Sequence, residues 1–366
     1  MILTRYLGRE ISRNFVISFL SLNVFLLLSR LATLLVELSS EQLQPFDYFR
    51  LLLFLAPYFL TFTLPLSALL AVVFSFMRLS QDHELLAFET LGIPFTRLLR
   101  PVVALGLVAL CLTYVVAIKY FPWSKRAFRS FLFELTERKI ARGIPQKTFV
   151  DWLPKLSIFA EEVWHEGKRF ALVFMVNETD PEKKGLIFAK RGSLKVEDDQ
   201  IVLELLEGNL HVVNKDYTKA EELSFEKYIF RFDAAKFEKS RRRSRGEMSL
   251  AELKHKASLY PPDHPRHIYY LSEYYKRLYF PWAAFLLPLL AAPLGSLMKA
   301  SGRGAGLVLA AALFLSYYFL QSGAASLAQN GLLSPRWAFL VPNLLLAVLA
   351  VVLAWKVREG RLGRAK

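Results

Sequence analysis

The stretch MRLSQDHELLAFETLGIPFTRLLRP, Met77–Pro101, decides how the rest of the chain is read. It sets a short, charge-bearing amphipathic segment between two long apolar runs and closes it with Gly92 and Pro94. Leu85, Leu86, Phe88 and Leu91 are interleaved with Glu84 and Glu89. Asp82 and Glu84 stand near the start, where the positive end of a helix dipole favours carboxylates. Gly92 supplies a left-handed cap and Pro94 prevents continuation, so the pattern predicts a sharply bounded helix over about residues 80–91. A short surface helix with an apolar stripe and acidic flank suits a groove on a partner protein. Interfacial membrane helices, the competing reading, usually carry Lys or Arg on the polar face, and this one carries Asp82, Glu84 and Glu89.

The flanks are apolar enough to make a membrane protein the first class to test: 54% of the 366 residues are hydrophobic, with 30 Phe. Three runs in the first third, Asn14–Val36, Leu51–Met77 and Leu98–Tyr120, are each long enough to cross a hydrocarbon core. Three more, Leu278–Met298, Ala305–Leu327 and Trp337–Trp355, close the chain. Pro281, Pro288, Pro293 and Pro342 are tolerable there because packed neighbours re-satisfy freed backbone groups. The first run is too long for a cleavable signal and has no small-x-small site before Glu37, so it is expected to stay as an anchor.

Lys and Arg in short loops set the orientation. Arg5, Arg9, Arg13, Arg78, Arg97, Lys299, Arg303 and the tail Lys356, Arg358, Arg361, Arg364 and Lys366 all fall on one side, which places both termini in the cytoplasm. The net charge of +15 sits largely in those loops and tails, so anionic headgroups, and not nucleic acid, are the expected counterpart. The single cysteine, Cys111, lies inside the third run, so the outward part has no disulfide to rely on.

Between the two sets of runs the pattern changes to short alternating or apolar segments. KTFVDW, LSIFAEEVW, RFALVFMVNET, GLIFAKRGSLKVEDDQIVLELLEGNLHVVN and KYIFRFD are separated by turn residues at hairpin spacing. That argues for an antiparallel sandwich, open barrel or jelly roll of about 100 residues with no long helix. Ser249 with Glu252 forms a capping-box pattern that starts a return helix. The basic run Lys239–Arg245 reads either as a solvated loop or as a contact to lipid phosphates.

Catalytic signatures are absent. No GxxxxGK[ST], GxSxG, HExxH or CxxC occurs, the six His are scattered, and HPRH at His264–His267 has loop spacing, so no enzyme, cofactor or metal is expected. GRGAG at Gly302–Gly306 follows no strand and reads as a turn. The clearest charge within a span is Arg30. It either snorkels to the interface or meets a lipid phosphate in a lateral cavity, with Phe25, Ser29 and Thr33 of the same helix as companion candidates.

Five segments carry a resemblance over essentially the whole length: MILTRYLGRE at the start, LPLSALLAVVFSFMRLSQDHELLAFETLGI (Leu64–Ile93), MSLAELKHK (Met248–Lys256), YYKRLYFPWAAFLLPLLAAPLGS (Tyr274–Ser296) and LVPNLLLAVLAV (Leu340–Val351). They resemble the lipopolysaccharide-export permeases of the LptF/LptG type, also called the YjgP/YjgQ family, and the N-terminal segment looks more like the LptF branch. The resemblance implies a half-permease of an inner-membrane ABC transporter. Its parts would be an N-terminal membrane half over 1–120, a periplasmic β-jelly-roll over 121–240, a basic loop and connecting helix over 241–277, and a second membrane half over 278–366. Implied partners are a sibling permease (LptG-like), a cytoplasmic ATPase (LptB-like), a single-span periplasmic protein (LptC-like) and lipopolysaccharide. The family's coupling helix matches Gln81–Leu91, which gives Asp82, Glu84, Leu85, Phe88, Glu89 and Gly92 as ATPase-coupling candidates, and Arg30 falls near the family's lipid A phosphate contacts. A membrane-anchored scaffold without transport activity is the alternative. A bounded docking helix between the second and third spans separates the two, since an anchor has no need of one.

Overall fold

The computed structural model describes residues 2–37, 44–153, 156–165, 167–177, 183–197, 200–214, 220–233, 243–298 and 303–358. Most of the basic run from Lys239, together with Lys299, Gly302 and the tail from Glu359, lies outside them. Two compact units result, one from residues 1–128 and 244–366, the other from residues 129–243.

The first unit is helical: α1 (Ile2–Glu37), α2 (Pro45–Gln81), α3 (Glu84–Thr90) and α4 (Phe95–Val115), the last continuing through a π-helical turn (Val116–Tyr120) into α5 (Phe121–Arg142). After the second unit come α6 (Leu250–Ser258), α7 (Pro265–Tyr279), α8 (Ala283–Ser296), α9 (Arg303–Gln329) and α10 (Pro335–Arg358). Six helical segments among the described residues are long and apolar enough to cross a membrane: Ile2–Val36, Pro45–Gln81, Phe95–Leu135, Pro265–Ser296, Gly304–Gln329 and Pro335–Arg358. They contain five of the six apolar runs and all but the last two residues of Leu278–Met298, and they extend past the runs, because hydropathy marks only the part of a helix that suits lipid, whereas backbone hydrogen bonding carries the helix on into amphipathic sequence.

The largest extension is the third. The β domain was expected from residue 121 with no long helix, yet Phe121–Arg142 is helix; the first strand, Val150–Leu153, falls at the expected segment KTFVDW. Pro122 sits just behind the π-helical turn, where the regular ladder is already interrupted. Farther on, Arg138 pairs with Glu134 one turn earlier at 2.6 Å. The expected capping box does open α6: Ser249 Oγ accepts from the Glu252 amide and Glu252 Oε2 accepts from the Ser249 amide.

The second half of α2, Thr63–Ser80, is buried nearly throughout and forms the centre of this unit, against α1, α4, α8 and α9. Its core includes Leu69, Val73, Phe76 and Leu79 with Leu287 and Leu290 of α8. By contrast α1 leaves one long side open, with Val16, Ile17, Leu20, Val24, Phe25 and Leu28 exposed. In a chain this apolar, an uncovered stripe on a long helix faces lipid or another protein.

In the second unit one sheet of six antiparallel strands runs in sequence order: β1 (Val150–Leu153), β2 (Leu156–Trp164), β3 (Arg169–Asn177), β4 (Lys183–Glu197), β5 (Gln200–Asn214) and β6 (Ala220–Asp233). Its apolar core includes Ile158, Phe170, Met175, Ile187, Leu203 and Leu205. The sheet carries a transverse crease. Opposite residues Glu161, Leu172, Lys190, Glu207 and Glu226 are all exposed and all skipped by the strand pairing, with Leu172 and Glu207 left-handed at φ 50° and 52°. The burial phase slips by one residue at the same line: Ile187 and Ala189 face the core on one side of it, Gly192 and Leu194 on the other.

Candidate functional site

At the turn between α2 and α4 the chain builds the element expected from sequence, shorter than expected. Ser80 and Gln81 still belong to α2, Asp82 and His83 turn, and α3 is the seven residues Glu84–Thr90. His83 enters left-handed at φ 56°, and Gly92 leaves at φ 69°, where no side chain crowds it; the αL cap at Gly92 is as expected.

The faces of α3 divide the candidates. Leu85 and Phe88 pack inward against the core of the helical unit. Leu86 and Leu91 are 58% and 74% exposed, and Asp82 and Glu89 are exposed beside them. Glu84 faces neither group. Its carboxylate lies 3.3 Å from Arg78 Nη2 and accepts the Tyr6 hydroxyl at 3.2 Å. Arg78 in turn grips Glu10 through Nε at 2.5 Å and Nη2 at 2.7 Å, donates to Tyr6 Oη at 2.7 Å, and reaches Asp82 at 3.4 Å. Three elements, α1, α2 and α3, thus meet on one guanidinium, and Glu10 at 7% exposure is its most buried partner.

Sequence reasoning used Arg78 only for topology and made no use of Tyr6 or Glu10. The available signal was Glu10 itself, the one acidic side chain within Ile2–Val36. Two further polar contacts tie α1 to α2: Asn14 Nδ2 donates to Ser75 Oγ at 2.8 Å, and Asn23 Nδ2 donates to Thr63 Oγ1 at 3.1 Å. Interhelical hydrogen bonds of this kind help to hold helix pairs together within a membrane.

Farther along α1, Phe25, Ser29 and Thr33 recur every four residues on an exposed face, and Arg30 next to them is half-buried. These four are neighbours on one helix, about 23 to 35 Å of rise from Glu10.

The sheet has a second apolar feature. Phe149, Phe159, Phe174, Phe188 and His211 form a row across the strands, with successive ring centroids at 5.0 Å for Phe149–Phe159, 5.0 Å for Phe174–Phe188 and 6.0 Å for Phe188–His211. A groove of about 680 Å³ runs beside it, lined by Phe159, Phe174, Phe188 and Phe225 and by the crease residues Leu172 and Glu207. Glu207 is held below the usual carboxylate range by Arg191 and then Lys190, and Glu204 by its bond to Lys227 at 2.5 Å.

The family profile described as "Lipopolysaccharide export system permease LptF/LptG" matches residues 5–356. An uncharacterized protein of Rickettsia prowazekii (strain Madrid E), RP871, is 21% identical over 264 residues, 70% of this chain and 71% of the relative. The family is a membrane component of lipopolysaccharide export and not an enzyme, which accords with six apolar helices and an inserted β unit. With nearly its whole length matched, this multi-pass membrane protein belongs to the LptF/LptG family of lipopolysaccharide export permeases.

Proposed function

We propose that the chain is one half-permease of an ABC exporter in the inner membrane, with both termini cytoplasmic and the sheet in the periplasm. It pairs with a sibling permease, borrows its ATPase, and works beside a single-span periplasmic protein. Lipopolysaccharide leaves the outer leaflet through a lateral cavity walled by the open side of α1, where Arg30, Phe25, Ser29 and Thr33 meet it. The phenylalanine row on the sheet then carries its acyl chains toward the outer membrane.

The observation that carries this reading is the division of α3. Leu86, Leu91 and Glu89 are presented outward for a partner, while Glu84 is bound through Arg78 to both α1 and α2. A push on the outer face of α3 is therefore delivered to the helix that would line the cavity. Within this division Glu84 serves transmission and Leu86 with Glu89 serves docking. The test is co-purification of the ATPase with tagged Leu86→Asp in native membranes. Loss of the ATPase with normal membrane insertion is expected; retention would overturn the docking role and favour a scaffold without transport activity.

A further inference from the structure

The helical unit contains a recess, remote in the fold from α3, that the export reading does not use. It holds about 290 Å³ and lies between the first half of α2, the start of α5, the Ser244–Gly246 segment and α7. One wall is aromatic, from Tyr58, Phe62 and Phe280. The other is charged, and its sum is unbalanced: Lys125, Arg245, Lys276 and Arg277 line it against the single carboxylate of Glu273.

Glu273 is already committed. It binds Arg277 Nε at 2.9 Å and stands 3.8 Å from Arg245 Nε. Arg277 is committed as well, donating to the carbonyls of Met248, Arg245 and Gly246 at 2.7, 2.9 and 3.0 Å. Lys125 and Lys276 have no carboxylate partner among the described residues. Lys125 instead lies against the rings of Tyr58 and Phe121, 5.3 and 5.9 Å from their centroids. Two ammonium groups without a carboxylate partner among the described residues and a guanidinium only loosely shared with Glu273 thus line the same recess as the aromatic wall. Trp123, Tyr269 and Trp282, exposed nearby in sequence, give this level the tryptophan and tyrosine content of a membrane interface.

We propose that this recess binds the phosphodiester headgroup of an anionic phospholipid, with Lys125, Lys276 and Arg245 around the phosphate and an acyl chain against Tyr58, Phe62 and Phe280. A free phosphate would satisfy the cations but leave the aromatic wall wet. An uncharged lipid would fill the wall but leave the cations unpaired. Only an amphiphile with a net negative head meets both. Because the recess draws on α2, α5 and α7 and not on the open side of α1, it holds whether or not the route proposed for lipopolysaccharide is right.

Native mass spectrometry of the full-length chain, released from nanodiscs of phosphatidylglycerol or of phosphatidylcholine, tests this directly. One retained phosphatidylglycerol and no retained phosphatidylcholine is expected. The double variant Lys125→Ala/Lys276→Ala should weaken retention by about tenfold or more, the scale of one lost charge-assisted contact, and Lys125→Arg/Lys276→Arg should restore it. Equal retention of both lipids, or undiminished retention by the alanine variant, overturns the site. Displacement of phosphatidylglycerol by inorganic phosphate overturns the lipid as ligand. Displacement by lipopolysaccharide at equal concentration overturns the separation from the export route. Failure of Leu86→Asp to release the ATPase would leave this result untouched.

Discussion

Arg78 ties α1, α2 and α3 together, and its partners differ in what they stand to lose. Glu10 is buried, so removing Arg78 leaves a carboxylate without its bidentate partner; the guanidinium itself is 39% exposed on its side chain, so water screens part of the effect. Arg78→Ala is expected to destabilise by about 1–3 kcal/mol, and Arg78→Lys by less in stability but fully in bidentate geometry. Thermal unfolding in detergent checks the first, and ATP-driven lipopolysaccharide release checks the second. On α3 the two apolar pairs separate just as cleanly. Phe88→Ala should lower the unfolding temperature because it empties a packed site, whereas Leu86→Ala should leave it unchanged and weaken only ATPase association. Equal effects of the two would mean that α3 has no outward face. Of the coupling candidates, the outline was legible in sequence, because Gly92 and Pro94 punctuate it. The engagement of Glu84 was not, since nothing in a helix's own periodicity says that a tyrosine 78 residues earlier and the arginine at the end of the preceding helix will meet its first carboxylate.

Among elements, the sheet shows why strand reading from sequence goes only part of the way. Alternation over a few residues identified segments of all six strands. The crease then shifts the phase of β2 to β6 by one at Glu161, Leu172, Lys190, Glu207 and Glu226, so a period-2 reading loses its frame. Leu172 supports a direct test, being left-handed without being glycine. Leu172→Gly should be neutral or stabilising, and Leu172→Val should cost about 1–2 kcal/mol because a branched Cβ clashes in that conformation. Chemical denaturation of the full chain, followed by a fluorophore on the sheet, reads both. The pH response of the sheet follows from Glu204, held below its usual value of 4.5 chiefly by Lys227. A carboxylate with a depressed folded-state pKa contributes stability that is fully present above its unfolded value. That contribution is lost as pH falls through the lower folded value. The unfolding midpoint of the sheet should therefore be insensitive to Glu204→Gln below that window and fall for the variant above it; a constant difference at every pH would rule out the linkage. The helix at Phe121–Arg142, where a β domain without a long helix was expected to begin, failed to be read for a different reason. Its average is polar with no apolar stripe, so tertiary context and the continuity of the preceding span decide it, not its own pattern.

For the molecule as a whole, the six-span layout around an inserted β unit was legible because hydrocarbon imposes length and apolarity on every crossing helix. What hydropathy cannot carry is which spans move together. Polar contacts bear on this: Glu10 with Arg78, Asn14 with Ser75 and Asn23 with Thr63 run along the α1–α2 interface over residues 10–23 of α1. A helix joined at three levels is expected to follow its partner as one body, so that under the proposed coupling a force reaching Arg78 from α3 would move α1 without shearing it along α2. The open side of α1, where Phe25, Ser29 and Thr33 stand, would then close or widen a lateral cavity by rigid displacement. Cross-linking separates this from a sliding mechanism. With Cys111 replaced by Ser, since it is the sole native cysteine, Asn14→Cys/Ser75→Cys joined by a short thiol-specific linker should retain ATP-driven lipopolysaccharide release. Loss of release on linking, restored when the linker is cleaved, would show that α1 parts from α2 in the cycle, and the three contacts would then be latches that open rather than rivets that hold.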